Sequence, residues 1–166
     1  KWTNSLTILS AVSFQKHELS ILLNSSCKKE DFKIFLLKLI NLLNIEKIDL
    51  AETLSSEIGK PYSQALDELQ GARGRIHFFL NNTKNWLQTE TMIPHYPTQE
   101  RLEFEPLGVV AYLSHWSNPY LAAANYIVPA LLTGNTVMYQ PAENALLTAK
   151  HIQKLLSDAG VPETVF

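Results

Sequence analysis

Two short runs hold most of the side chains in this sequence that could do chemistry. They are Ser114-His115-Trp116-Ser117-Asn118-Pro119 and Gln140-Pro141-Ala142-Glu143. Between them they offer hydroxyls, an imidazole, amides and one carboxylate. No Cys/His cluster has metal-ligand spacing, so no metal site is expected. Cys27 is the only cysteine; a lone thiol makes no internal disulfide, and it reads as structural rather than nucleophilic. Each group also has a plain reading. His115 reads as a solvated loop residue. Asn118, followed by Pro119, reads as a helix cap. Trp116 is either loop packing or a ligand contact, and Glu143 either favours a helix start electrostatically or binds a ligand.

The elements that must position these runs follow from periodicity. Phe32, Phe35, Leu36, Leu39, Ile40 and Leu43 fall on one helical face, with Ser26 as its cap and Glu30 and Asp31 near its positive end. A shorter helix is expected from Asn44 through Leu50 and Leu54 to Gly59. Pro61 then opens an amphipathic helix of about 25 residues, longer than the globular average. Its apolar stripe runs through Tyr62, Leu66, Leu69, Ile76, Phe79 or Leu80, and Trp86 or Leu87, and reads as core. Asp67, Glu68, Arg73 and Arg75 lie largely off it. Gly71 and Gly74 weaken this helix by roughly 1 kcal/mol each relative to Ala, which suggests close packing there.

After Glu90 the pattern changes. Met92 to Tyr96 and Arg101 to Phe104 read as extended segments around a Pro97-Thr98-Gln99 turn. From Pro106 the order is strand, helix, strand, helix. Leu107 to Leu113 reads as a strand buried on both faces. The first helix runs from Asn118-Pro119 to Gly134, and Thr136 to Tyr139 is the second strand. Ala145, Ala149, Ile152, Leu156 and Ala159 mark the next helix face, closed by Gly160 and Pro162. Val165 and Phe166 look like the start of a third strand. This order implies a parallel sheet with right-handed crossovers, whose ligands bind beyond the carboxyl ends of the strands. Both runs leave such ends, on one edge.

Composition bounds the partners. The 166 residues are 46% hydrophobic and 18% charged, which excludes a disordered chain. A net charge of -2 with no basic run gives no reason to expect nucleic acid or acidic lipid. No apolar run approaches the ~20 residues needed to cross a bilayer, so no membrane partner is expected. Leu6 to Phe14 is mildly apolar but does not read as a signal peptide. With a single thiol, the expected setting is cytoplasmic. The chain opens on Lys1 rather than Met, as a processed or partial chain would.

Several linked motifs resemble one family. Glu105-Pro106-Leu107-Gly108-Val109-Val110, Trp116 with Pro119, Pro129 to Val137, Pro141-Ala142-Glu143 and Ala159-Gly160-Val161-Pro162 are similar in order and spacing to the aldehyde dehydrogenase superfamily. Glu57-Ile58-Gly59-Lys60-Pro61 also resembles the family, where a similar segment precedes a long helix. The likeness is dense from about 57 to 166 and architectural before that. It implies an α/β fold: amino-terminal helices in 1–90, a hairpin or oligomerisation arm in 91–105, and in 106–166 the first βαβα half of a doubly wound, Rossmann-like sheet. It also implies NAD(P)-linked oxidation of an aldehyde to an acid, and a homo-oligomer at full length. In the family a cysteine thiolate attacks the aldehyde, hydride passes to the nicotinamide, and a glutamate-activated water releases the acid. The resemblance places that cysteine, that glutamate and the Gly-rich pyrophosphate segment downstream of Phe166. The 166-residue chain alone is therefore expected to be inactive.

By the same resemblance, Ser114, Trp116, Gln140, Pro141 and Glu143 are cofactor-side residues and Ser117 stands at the oxyanion position. Two positions depart from the family pattern. Ser117 replaces an asparagine whose amide stabilises the oxyanion; a serine hydroxyl is shorter and offers one donor from another place. Gln140 replaces a lysine that contacts the adenosine ribose, leaving a neutral bond about half as strong as a charge-assisted one. Glu143 matches the position that accepts from the ribose diol, and its charge would repel a 2′-phosphate, which favours NAD over NADP. Two rival readings stay open on these residues: a non-catalytic relative kept for binding or assembly, and a free-standing nucleotide-binding module.

Overall fold

The computed structural model describes residues 29–93 and 100–166. The expected cap Ser26, the thiol Cys27, the stretch Leu6 to Phe14 and the turn Pro97-Thr98-Gln99 lie outside them. The first apolar face forms helix α1 (Lys29–Ile45), which buries Phe32, Leu36, Leu39, Ile40 and Leu43. Helix α2 (Lys47–Ile58) begins later than expected, because Asn44 still belongs to α1. Gly59 ends it at φ 75°, returning its amide to the Ser55 carbonyl, as a left-handed cap does.

Helix α3 (Tyr62–Trp86) has the expected 25 residues. Leu69 and Ile76 are buried, with Leu66, Phe79 and Leu80 partly so. Tyr62 and Trp86 are exposed, against expectation. At about 1.5 Å per residue the helix outruns the core it lies on, being buried mainly between Ala65 and Ile76. Glu68 is the second correction. It is only 5% exposed and shares the face of Ala65, Leu69 and Ala72. The glycines are a third. A Cβ at Gly71 would meet only Leu121 Cδ1, at 3.7 Å, and one at Gly74 would meet nothing within 4 Å.

Strands β1 (Glu90–Ile93) and β2 (Glu100–Leu102) pair antiparallel, with an irregularity between Thr91 and Ile93. The second strand ends earlier than expected, leaving Glu103 and Phe104 outside the ladder.

Strand β3 (Val109–Leu113), helix α4 (Pro119–Leu132), strand β4 (Thr136–Gln140) and helix α5 (Leu146–Ala159) complete the expected order. The strands are parallel, in register from Val109↔Thr136 to Leu113↔Gln140. Val110, Tyr112, Val137 and Tyr139 face the helices, whereas Ala111, Leu113 and Met138 are exposed. The first strand is thus buried on one face, not two, since the described helices pack on one side of the sheet. The expected third strand is represented by one rung, Val137 N–H to the Val165 carbonyl at 2.9 Å. All five residues of the expected last helix face, Ala145, Ala149, Ile152, Leu156 and Ala159, are buried. Gly160, at φ 101°, closes α5 where a side chain would strike the Phe35 ring at 3.1 Å. The helices α1, α2 and α3 lie behind α4 and α5, with the core between them.

Candidate functional site

The two runs leave the carboxyl ends of β3 and β4 side by side. The Ser114 amide donates to the Gln140 carbonyl at 2.9 Å, carrying the ladder past both strand ends and into both loops. Half-buried Ser114 also lies beside Tyr112 and Tyr139, the last residues but one of β3 and β4. The Tyr112 hydroxyl donates to Ser114 Oγ at 3.3 Å. Burial pushes the pKa of both phenols up, so they stay neutral near pH 7. Their rings stack at 5.3 Å, flanked by Tyr126 and Phe166. The sequence reading missed this pair; its signal was Tyr112 and Tyr139 each standing one residue before a strand end.

The first loop is held by its own side chains. Ser114 Oγ donates to the His115 carbonyl at 3.1 Å, and Ser117 Oγ lies 3.0 Å from His115 Nδ1. Asn118 Nδ2 reaches Ser117 Oγ at 3.4 Å, while Lys60 Nζ donates to Asn118 Oδ1 at 2.8 Å. Trp116 is 51% exposed, so it is not buried packing for the loop. Asn118 occupies the cap position of α4 but makes no capping bond through its side chain. The expectation that it caps the helix is corrected: its amide group is spent on Ser117 and Lys60.

The cap comes from α3 instead. Glu68 Oε1 accepts from the amides of Tyr120 and Leu121 at 2.8 and 3.2 Å, and its other oxygen pairs with Lys60. The ion pair is nearly closed to solvent, with side chains 11% and 2% exposed. The Tyr120 hydroxyl is buried without a partner among the described residues, and the Tyr120 side chain is one of those lining an apolar cavity of about 30 Å³. Burial, then the charge of Glu68, drives its pKa far above the ordinary tyrosine value.

The second loop shows the same device. Gln140 is exposed and its amide reaches only the Pro141 carbonyl, at 3.4 Å; Pro141 is half-buried. Glu143 is exposed in the 3-10 turn Glu143–Ala145. Helix α5 draws its cap from Glu57 at the end of α2. The two oxygens of Glu57 accept from the Leu147 amide at 2.6 Å, the Thr148 amide at 2.8 Å and the Thr148 hydroxyl at 2.7 Å. Glu57, Lys60 and Glu68 were not singled out as site residues, although Glu57 and Lys60 lie in a segment that carried the family likeness. Among the described residues no group of three or more His, Cys, Asp or Glu could hold a metal ion. No helix there is long and apolar enough to cross a membrane.

The model of the aldehyde dehydrogenase family matches residues 26–166. The chain belongs to the aldehyde dehydrogenase family. It is 36% identical over 127 residues to the N-succinylglutamate 5-semialdehyde dehydrogenase of Yersinia pseudotuberculosis, a match spanning 75% of this chain and 24% of that protein. A crystal structure of an aldehyde dehydrogenase from Brucella melitensis superposes with TM-score 0.79 at 29% identity, covering 90% of this chain and 30% of that one. An NADP-dependent enzyme of Escherichia coli gives TM-score 0.78 at 28% identity, covering 87% and 30%. The chain thus spans about a quarter of the length of the curated relatives it matches. The aldehyde dehydrogenase likeness extends to the fold, with mixed helices and a small parallel sheet.

Proposed function

We propose that this chain forms the adenosine side of the cofactor cleft in an NAD-linked aldehyde dehydrogenase that oxidises an aldehyde to its acid. One observation carries the reading. The Ser114–Gln140 main-chain bond sets the two motif-bearing loops on one sheet edge, where parallel sheets bind ligands. Ser114, Trp116, Gln140, Pro141 and Glu143 are then the cofactor-side residues. Glu143 is exposed, and the first amides of α5 are already taken by Glu57, so helix capping does not occupy its carboxylate. That leaves it to accept from ribose hydroxyls, and its charge opposes a 2′-phosphate, favouring NAD over NADP.

The fit to a dinucleotide is good at the adenosine end and stops there. Helix amino termini are the usual seats for phosphate, but Glu57 and Glu68 fill those of α5 and α4. When bound, the nicotinamide cofactor supplies the hydride acceptor. Ser117 stands at the oxyanion position, where its single proton can point either to His115 Nδ1 or to substrate, but not to both. The family's nucleophilic cysteine and its base are expected outside these residues, so the 166-residue chain made alone will not turn over. We divide it into helices up to residue 90, a hairpin in 91–105 that serves as an oligomerisation arm, and the half-sheet of 106–166. A cytoplasmic setting suits the single thiol Cys27.

The test is NADH formation by the full gene product with short, aromatic and semialdehyde substrates, the last suggested by the Yersinia relative. Turnover with NAD supports the reading. No turnover with any of them, under conditions where NAD binds, would leave the non-catalytic alternative standing.

A further inference from the structure

Each loop of the site runs into a helix whose first turn is held from outside, and by a different helix. Glu68 of α3 accepts the amides of the second and third residues of α4, and Glu57 of α2 accepts those of the second and third residues of α5. The local cap positions, Asn118 and Ala145, make no side-chain capping bond. The first turns of α4 and α5 are therefore placed by α3 and α2, across 52 and 90 residues of chain. Glu68 reaches further: through Lys60 and Asn118 its ion pair connects to Ser117, the residue at the oxyanion position.

We propose that Glu57 and Glu68 are positioning residues that divide the site between them. Glu57 sets the Gln140–Glu143 loop that meets the ribose, and Glu68 sets the Ser114–Asn118 loop that meets the developing oxyanion. The assignment rests on the cofactor-side reading of the two loops. Neither residue touches substrate or cofactor. Each acts by fixing where a loop ends, and displacements near 1 Å at a reacting group can lower rates by ~10²-fold.

A crossed kinetic experiment on the full gene product tests this, below the unfolding temperature of every variant. Glu57→Ala should raise KM for NAD and the calorimetric Kd for AMP about tenfold, with kcat within about twofold. Glu68→Ala should lower kcat about tenfold or more, with the Kd for AMP within about twofold. Glu68→Gln keeps one oxygen for both of its amides and should recover most of the lost kcat. Glu57→Gln keeps an acceptor for only one of its two amides and should recover the NAD and AMP parameters in part. Amide exchange by NMR supplies a readout apart from turnover. It should speed up at Leu147 and Thr148 in the first alanine variant, and at Tyr120 and Leu121 in the second. A purely structural role would move KM and kcat together in both variants, and that result, or no change in either, overturns the proposal. If wild type neither binds AMP nor forms NADH, the dehydrogenase reading fails and the division of labour fails with it. Wild-type turnover without the crossed pattern sinks the division alone.

Discussion

Replacing Glu68 by alanine removes three interactions at once, and the structure sets their sizes. The buried Tyr120 amide and the partly buried Leu121 amide lose their acceptor. Loss of a helix cap costs about 1 kcal/mol. Lys60, 11% exposed, loses its counter-charge, and an unpaired buried charge costs about 3–5 kcal/mol. Lys60 keeps Asn118 as an acceptor and has a flexible stem that can carry its ammonium toward water. We therefore take the lower end, about 3 kcal/mol for the whole change. For a domain of this size that lowers Tm by about 6–12 °C. Glu68→Gln keeps an oxygen for the amides but still deprives Lys60 of its counter-charge, so it should spare only the cap's share, about 1 kcal/mol. Lys60→Met leaves the carboxylate at the positive end of α4, where the helix dipole still favours it. The double variant Lys60→Met/Glu68→Gln should then lose less than the two single changes summed, with a coupling of about 1–2 kcal/mol. Urea and thermal unfolding followed by tryptophan fluorescence read wild type and the four variants. A Glu68→Ala Tm within about 2 °C of wild type, or strict additivity in the cycle, would refute the assignment of Glu68 as the cap of α4 and partner of Lys60.

Three further outcomes are expected. Gln140→Lys turns a neutral donor into a charged one and should tighten NAD about five- to tenfold by calorimetry; unchanged affinity would remove Gln140 from the ribose contacts. Gly74→Ala, on an open helix face with nothing within 4 Å of the new methyl, should stabilise α3 by about 1 kcal/mol in thermal unfolding; destabilisation would mean that this face is covered. Tyr120 has a folded pKa raised above its ordinary 10.0, so its neutral form is held in the folded state. Its contribution is complete below pH 10 and lost as pH rises further, because the unfolded chain then binds fewer protons. Tyr120→Phe should flatten that alkaline decline in unfolding free energy and leave neutral-pH stability unchanged or raised, as its hydroxyl has no partner among the described residues. A neutral-pH loss above about 1 kcal/mol would show that the hydroxyl is satisfied.

What the sequence disclosed is what depends on neighbouring residues. The period of Phe32 to Leu43, the glycine stops at Gly59 and Gly160, and the valine-rich run before Ser114 each report a local choice between helix, turn and strand. The family likeness added the loops and their order. The misses are long-range. Glu68 read as a solvent-side charge because nothing within one helix reveals that the start of α4, 52 residues on, will pack against it. Asn118 read as a cap because Asn-Pro is a good local cap, and the better acceptor came from another helix. Tyr62 and Trp86 continue the apolar stripe of α3, but periodicity cannot say where the core beneath a helix ends. Val109 to Leu113 carries the composition of a strand covered twice, whereas the described helices cover it once.

The central claim is that the edge formed by Ser114–Asn118 and Gln140–Glu143 binds the adenosine end of NAD, with Glu143 at the ribose. Calorimetric titration of NAD and NADP into the full gene product, wild type and Glu143→Gln, tests it most directly. The account predicts that NAD binds more tightly than NADP and that the substitution narrows the gap by about tenfold or more, as expected when ~1.4 kcal/mol of charge repulsion is removed. Tighter binding of NADP by wild type, or a preference untouched by Glu143→Gln, would contradict it.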